Sequence, residues 1–334
     1  MGDTDAFLVH VRMRDCASLP LPMSFPALAR LGFIGAGRLA RCLALGFARA
    51  GYPVAAVAAR SAASAQRLAR ELPQCRAVVD PQAVVDASDV VFLAVPDDNI
   101  GTIANTLRFD HVSARSQALV HCSGATQVEV LAAARAQGAS IGGFHPLYLF
   151  GGDDGDLARI AGCSVTIEAP EELAVVLQAL ARSLGCEVLT LPGGQRMLYH
   201  GAAHYAASFV LGALDEAAEI WGMLGFTEEQ SLRALLPMLA GTVEAARAKG
   251  LPGALAGPVS RGDAATLTRQ LAAFERLGAE HAALYALLTR RLLALARRRA
   301  QPPAAIEAMT EAVQATLAAC SSTPSCQVQA PSQP

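Results

Sequence analysis

The chain has 334 residues, enough for two domains of ordinary size. Only 17% of them are charged and the formal net charge is −2, which gives no electrostatic basis for binding nucleic acid or an anionic membrane surface. No apolar run reaches the ~18 residues of a membrane span, the start lacks a secretory signal pattern, and the eight cysteines (Cys16, Cys42, Cys75, Cys122, Cys163, Cys186, Cys320, Cys326) contain no C-x-x-C spacing, so a reduced cytoplasmic protein with no metal site is expected.

Residues 1–29, interrupted by Pro20, Pro22 and Pro26, read as a flexible extension, with Met23 as an alternative start. The apolar run Leu31–Ile34 reads as a buried strand, and Arg38–Ala50 as the helix that follows it. Between them stands Gly35-Ala36-Gly37-Arg38-Leu39-Ala40, the G-x-G-x-x-G/A fingerprint in its strand–turn–helix setting. Gly35 permits the tight turn, Gly37 lets a pyrophosphate approach the backbone, and Ala40 lets helix pack on strand. The helix N-terminus offers unpaired N–H groups to the phosphates.

Strand two is expected over Val54–Ala59. Where an acidic residue would hold a ribose 2′-OH, the chain has Ala59-Arg60-Ser61. Arginine there suits a 2′-phosphate, so NADP(H) is the expected cofactor and NAD(H) the alternative. A helix follows from Ser61 to Leu72, capped by Ser61 or Ser64, then a strand over Arg76–Val79 and a helix opened by Asp80-Pro81. Strand four, Val90–Val95, ends at Pro96-Asp97-Asp98, where Asp98 is a candidate helix cap; Val95 and Pro96 then border the cofactor crevice at the carboxyl edge. Strand five, Ala118–His121, leads into Cys122-Ser123-Gly124-Ala125 at the same edge, with Ser123 near the nicotinamide and His121 a packed core residue. Gln127–Ala136 is a helix, Ser140–Phe144 a strand ending in His145-Pro146, and residues 151–156 a polar loop. Cys163–Glu168, Glu171–Leu184 and Glu187–Leu191 form a last β-α-β unit.

From Gly193 the pattern is helical: Gln195–Gly222, apolar on most faces and so buried in a core or dimer interface; Thr227–Ala248, kinked at Pro237; a loop through Gly257–Asp263; a helix capped by Asp263 and running to Leu277; Glu280–Arg299; and Pro303–Ala319. Residues 321–334 are expected to be disordered. The organisation is thus a flexible extension over 1–29, a dinucleotide-binding α/β domain over 30–192, a helical substrate and dimerisation domain over 193–320, and a tail over 321–334.

Chemistry outside the fingerprint rests on few residues. His200, His204 and Ser208 are spaced by four on one helix face, and His200 is the candidate proton donor; His145, Tyr199 and Tyr205 are alternatives. Arg261, in the glycine-flanked loop, is the candidate clamp for a substrate carboxylate. Lys249 is the sole lysine and lies far from any motif.

The runs Gly32–Ala40, Ser88–Asp97 and His121–Ala125 resemble the Rossmann half of pyrroline-5-carboxylate reductases. Phe144-His-Pro-Leu147, Leu198-Tyr-His200 with Ser208, and Gly257–Asp263 resemble Rossmann-like proteins carrying the domain of unknown function 2520. The resemblance covers about residues 30–300. It implies an α/β fold with an N-terminal doubly wound, mostly parallel sheet, followed by an all-helical domain that commonly forms a homodimer. It further implies an NADPH-dependent reductase of a small carboxylate-bearing substrate, a 2-oxo acid such as ketopantoate, in which Arg261 grips the carboxylate. Relatives with this domain order often use a lysine at the reacting heteroatom, and the family usually has Asn where this chain has Phe209. An imine reductase of the pyrroline-5-carboxylate type and a non-catalytic NADPH-binding protein are the alternatives.

Overall fold

A computed structural model describes residues 25–26, 28–109 and 116–322. Most of the expected extension, and the expected tail beyond Ser322, lie outside the described residues. By its internal contacts the chain divides into two compact units between Phe209 and Val210.

The first unit alternates strands and helices: β1 (Leu31–Ile34), α1 (Arg38–Arg49), β2 (Val54–Ala58), α2 (Ala62–Arg70), β3 (Arg76–Val78), α3 (Pro81–Ala87), β4 (Val90–Leu93), α4 (Asp97–Ala104), β5 (Ala118–His121), a 3-10 turn (Val128–Leu131), α5 (Ala132–Ala136), β6 (Ser140–Pro146), α6 (Asp156–Arg159), β7 (Ser164–Glu168), α7 (Glu171–Ser183), β8 (Glu187–Thr190) and α8 (Arg196–Ala203). The eight strands form one sheet in the order β3-β2-β1-β4-β5-β6-β7-β8. Every pairing is parallel except β6 with β7. Strands buried on both faces need apolar side chains throughout, and β1, β4 and β5 have every residue buried. One face packs Phe33, Phe47, Phe92 and Phe144 together, with Phe33–Phe92 centroids 5.2 Å apart. The other packs Ile34, Leu93 and Leu119 against Val84, Ile100 and Leu131. Each such side chain contributes about 1.5–3 kcal/mol by leaving water.

The second unit contains most of α9 (Ser208–Met223), with α10 (Glu228–Ala254), α11 (Gly257–Arg261), α12 (Ala264–Leu277), α13 (Ala279–Ala296) and α14 (Ile306–Ser322). Its core joins Val259, Leu267, Leu271, Ala286, Leu293, Met309 and Val313. No helix among the described residues is long and apolar enough to cross a membrane.

Several expectations are corrected. The single helix expected over Gln195–Gly222 is broken: α8 ends at Ala203, a 3-10 turn covers His204–Ala206, and Ala207 leaves helical geometry (φ −127, ψ −94) before α9 starts. The helix expected over Gln127–Ala136 is likewise a 3-10 turn leading into α5. Asp98 does not cap α4; Pro96 takes that position, and Asp97 and Asp98 sit in the first turn, where the helix dipole favours negative charge. In α10 the backbone leaves helical φ/ψ at Gly250 (φ 68) rather than at Pro237, and Gly257–Arg261 is helical rather than loop. Strand β6 does not stop at Phe144. The antiparallel partner β7 supplies hydrogen-bonding positions opposite Phe144, His145 and Pro146, beyond the end of β5. His145 therefore lies within a strand, directly opposite Thr166. Two helix caps are as expected: Ser61 accepts from Ser64 N at 3.3 Å and Asp263 from Thr266 N at 3.0 Å; Asp80 also caps α3, accepting from Gln82 N at 2.9 Å.

Candidate functional site

Two cavities lie along the carboxyl edge of the sheet in the first unit. The first, about 660 Å³, follows the turn from β1 into α1. Gly35 has φ +115, and a Cβ there would stand 2.1 Å from the Ala94 carbonyl oxygen, so only glycine turns here. A Cβ on Gly37 would meet nothing within 4 Å; the space in front of the α1 N-terminus is open. Gly37 is the α1 N-cap and provides no side-chain cap, and the first turn contains no acidic residue. The leading N–H groups of α1 are thus available to an anion.

Gly35, Ala36, Gly37, Arg60, Ser61, Val95 and Pro96 all line this cavity, so the structure brings most of the expected cofactor residues together. Among the described residues Arg60 is the only charged side chain in the lining. Ser61 caps α2 by accepting from Ser64 N at 3.3 Å, which leaves its O–H free to donate. Three fingerprint residues act elsewhere. Ala40 is fully buried beneath α1 and Leu39 packs on the core. Arg38 turns away toward the loop after β6, against Gly152, with Nη1 3.5 Å from the Phe150 carbonyl.

The second cavity, about 600 Å³, is lined by His145, Leu147, Tyr148, Leu149, His200, His204 and Ser208 together with alanines of the α8–α9 connection. Among the described residues no carboxylate lines it, and it is of ligand size. His145 and His200 stack edge to face, centroids 5.9 Å apart, and His200 and His204 at 5.0 Å. His204 Nδ1 is 3.2 Å from Ser208 Oγ, so the expected His200–His204–Ser208 set does assemble although its helix is broken. Among the described residues no group of three or more His, Cys, Asp or Glu side chains is arranged to hold a metal ion.

Gly124 separates the two imidazoles from the β5 loop. A Cβ on it would stand 2.5 Å from His200 Cδ2 and 2.8 Å from His145 Nε2. Its neighbour Ser123 lies at the expected edge, but its hydroxyl is occupied within the loop. It donates to Asp97 Oδ2 at 2.7 Å, lies 2.9 Å from Thr126 Oγ1, and accepts from the N–H groups of Ala125 and Thr126. It lines neither cavity. Arg261 ends α11 in the second unit and is exposed.

The residue that sequence reasoning missed is Arg196. It is fully buried at the start of α8. Its Nε donates to Glu168 Oε2 at 2.6 Å and its Nη1 to the Ser123 carbonyl at 2.8 Å. A Cβ on Gly143 would stand 1.8 Å from Nη2; glycine inside a strand marks a close approach, and Gly142-Gly143 was the available signal. His121, opposite Gly143 across β5 and β6, is fully buried, and neither ring nitrogen has a hydrogen-bond partner among the described residues. Burial, then Arg196 and His145, push its pKa down to about 3. His145 is pushed down to about 4 by burial first, then by His200 and Arg196, against a smaller upward effect of Asp97. Both imidazoles are neutral near pH 7.

With this geometry in view, similarity to known proteins is specific. Residues 23–146 match the Rossmann-like domain family, and residues 163–292 match DUF2520, a domain of unknown function. The chain is a Rossmann-like domain joined to a DUF2520 domain. No curated protein matches it. Among solved structures, a Thermotoga maritima protein aligns with TM-score 0.67 and 23% identity over 80% of this chain and 100% of that one. The pyrroline carboxylate reductase of Plasmodium falciparum, solved with NADP bound, aligns with TM-score 0.51 and 15% identity over 86% of this chain and 98% of its own. A reductive aminase of Aspergillus terreus, in complex with NADPH and ethyl-5-oxohexanoate, aligns with TM-score 0.54 and 15% identity over 88% and 95%. At these identities the likeness is one of fold. The family boundaries divide the second cavity's surroundings: Gly124 and His145 belong to the Rossmann-like stretch, and Thr166, Arg196, Tyr199, His200 and His204 to the DUF2520 domain.

Proposed function

We propose that this Rossmann-like/DUF2520 protein is an NADP(H)-dependent reductase acting on the C=O or C=N of a small carboxylate-bearing molecule, with a 2-oxo acid such as ketopantoate as the first candidate. The observation that carries the reading is the first cavity: an uncapped helix N-terminus at one end, and Arg60 as the only charged side chain among the described residues of the lining at the other. The residues fit the dinucleotide. The α1 N–H groups take the pyrophosphate. Arg60 and the Ser61 hydroxyl take the 2′-phosphate, for which a guanidinium has the right charge and bidentate geometry. When bound, the dinucleotide supplies a hydride to the substrate carbon. The protein's tasks are then to hold the substrate body against the leucines and alanines of the second cavity and to place hydrogen-bond donors at the heteroatom. The absence of carboxylates among the described residues of that lining favours an anionic substrate.

The imine reading is supported by the fold likeness to a pyrroline carboxylate reductase and a reductive aminase. We also propose that the protein is a homodimer through its second unit. Helix α9 is strongly apolar yet has no buried residue, and it exposes Leu211 and Met223; light scattering on the purified protein tests this.

The function is tested by NADPH consumption with ketopantoate and, in parallel, with pyrroline-5-carboxylate. Turnover on one of them assigns the class; NADPH binding without turnover on any oxo or imino acid supports a non-catalytic binding protein. Replacing Arg60 by Ala is expected to reduce the preference for NADPH over NADH about tenfold to a hundredfold, the worth of hydrogen bonds to a charged group. An unchanged preference sinks the 2′-phosphate assignment.

A further inference from the structure

Tyr199 lies between two residues that β-sheet register sets opposite each other. His145 of β6 and Thr166 of β7 are cross-strand partners, so their side chains stand on one face of the sheet. Tyr199 reaches down from α8 to both. Its hydroxyl is 2.6 Å from Thr166 Oγ1 and 3.2 Å from His145 Nδ1.

The proton positions in this chain follow from burial. Thr166 is 1% exposed, and Tyr199 is its only side-chain hydrogen-bond partner among the described residues. If Thr166 did not donate, its O–H would be buried without an acceptor, at a cost of about 1–3 kcal/mol. An unused lone pair costs less than an unused donor. Thr166 therefore donates to Tyr199. With its oxygen engaged as acceptor, Tyr199 donates onward to His145 Nδ1. A neutral imidazole that accepts at Nδ1 carries its proton on Nε2. That nitrogen has no protein partner among the described residues and faces the place where Gly124 lacks a Cβ, and His145 lines the second cavity.

Resting on the reductase reading above, we propose that His145, fixed as its Nε2–H tautomer by the Thr166–Tyr199 chain, is the group that polarises the substrate's carbonyl or imine. His200 lines the same cavity without a comparable hydrogen-bond chain behind it. The carbonyl carbon receives a hydride, with its electron pair, from the reduced dinucleotide. The π pair moves onto oxygen, whose growing charge is met by the Nε2–H hydrogen bond. The oxygen then takes a proton from solvent water, and His145 keeps its own proton and is unchanged at the end of the turnover. For an imine the nitrogen replaces the oxygen. A neutral donor is well suited to this task because it does not have to be reprotonated, and the surroundings of His145 keep it neutral: burial first, then His200 and Arg196 from α8, disfavour the imidazolium, against the weaker opposite effect of Asp97 from α4. Thr166 and Tyr199 are positioning residues.

The test uses the nitrogen chemical shifts of the histidine rings in the isotopically labelled full-length protein, which read tautomer and charge without any turnover. The expected result is a protonated Nε2 and an unprotonated Nδ1 for His145 from about pH 5 to 8. An Nδ1–H tautomer, or an imidazolium near neutrality, overturns the proposal. Tyr199→Phe and Thr166→Val each remove a link, and the His145 shifts should move toward the average of two exchanging tautomers, more in the first than in the second; unchanged shifts in both overturn the positioning roles. In kinetics His145→Gln, which retains a side-chain N–H donor, should keep at least about tenfold more kcat than His145→Ala, with the Kd for NADPH unchanged in both. Equal losses count against the donor role. If no substrate is turned over, the reductase reading fails by itself. Titration of ketopantoate into the NADPH-bound protein then decides the inference: a shift at His145 Nε2 retains it as a ligand hydrogen-bond donor, and no shift overturns it.

Discussion

The two cavities share one edge of one sheet and are built in opposite ways. The first is made of backbone. Its shape comes from a turn that only glycine can make at Gly35 and from a helix end left uncapped at Gly37. The second is made of side chains, drawn from the end of β6, the connection beyond it, α8 and the turn after α8, with Thr166 of β7 and the buried guanidinium of Arg196 behind them. A backbone site is specified by consecutive residues and fails only if the turn fails. A side-chain site depends on register, on packing and on charges kept out of water, and it can be lost while the fold survives.

The largest effect that would break this contrast is at Arg196. Replacing it by Met leaves Glu168 without its 2.6 Å partner and the Ser123 carbonyl without its donor. Removing one member of a buried pair costs about 3–5 kcal/mol, so urea unfolding should show a loss of that order. A loss below about 1 kcal/mol means that Arg196 is not the strut of the second cavity. Below the new midpoint, NADPH affinity should persist.

Gly124→Ala is a more selective perturbation. The new Cβ collides with both His145 and His200, and displacing reacting groups by about an ångström costs about a hundredfold in rate. We expect kcat to fall by that order while the Kd for NADPH stays unchanged. Equal losses in both would show that the cavities are coupled rather than separately built.

The most gradual effect, spread over several pH units, is on the pH dependence of stability. His121 and His145 have folded pKa values depressed to about 3 and about 4. Between those values and the unfolded value near 6.5 the unfolded chain binds more protons than the native one. Stability is therefore full above about pH 6.5 and is lost as pH falls, with a slope approaching ~1.4 kcal/mol per pH unit for each histidine. His121→Leu should flatten the acid limb by one histidine's share. An acid limb of unchanged slope in that variant would mean that His121 is not held neutral by burial.

The same contrast explains what the sequence made legible. The turn at Gly35–Ala40 was readable because all its parts are adjacent and each has a steric or hydrogen-bonding reason. So were the caps at Ser61 and Asp263, where a short polar side chain precedes a helix by one residue. The break at Ala207 was not, because neither glycine nor proline stands there and only tertiary structure sets that φ/ψ. His145 looked like a strand end because its pairing partner, β7, runs antiparallel to β6 and lengthens the strand by two residues. Thr166 and Tyr199 lie 33 residues apart and meet only through that register. Arg196 stood at the head of an apolar helix, where nothing in hydrophobic periodicity marks a buried charge.

The antiparallel pairing of β6 with β7 divides what is free to drift from what is not. His145 and Thr166 are tied by strand register, and a slip of one residue would send Thr166 to the opposite face. Leu147 and Leu149, which wall the same cavity, lie just past the strand on the exposed connection to β7. Leu147 N–H still pairs with the Ser164 carbonyl of β7 at 2.8 Å, so substitutions at both leucines, and length changes beyond Leu147, leave the ladder untouched. Substrate preference can accordingly be retuned on this connection, in evolution or in the laboratory, while the hydrogen-bonding apparatus behind it is inherited intact.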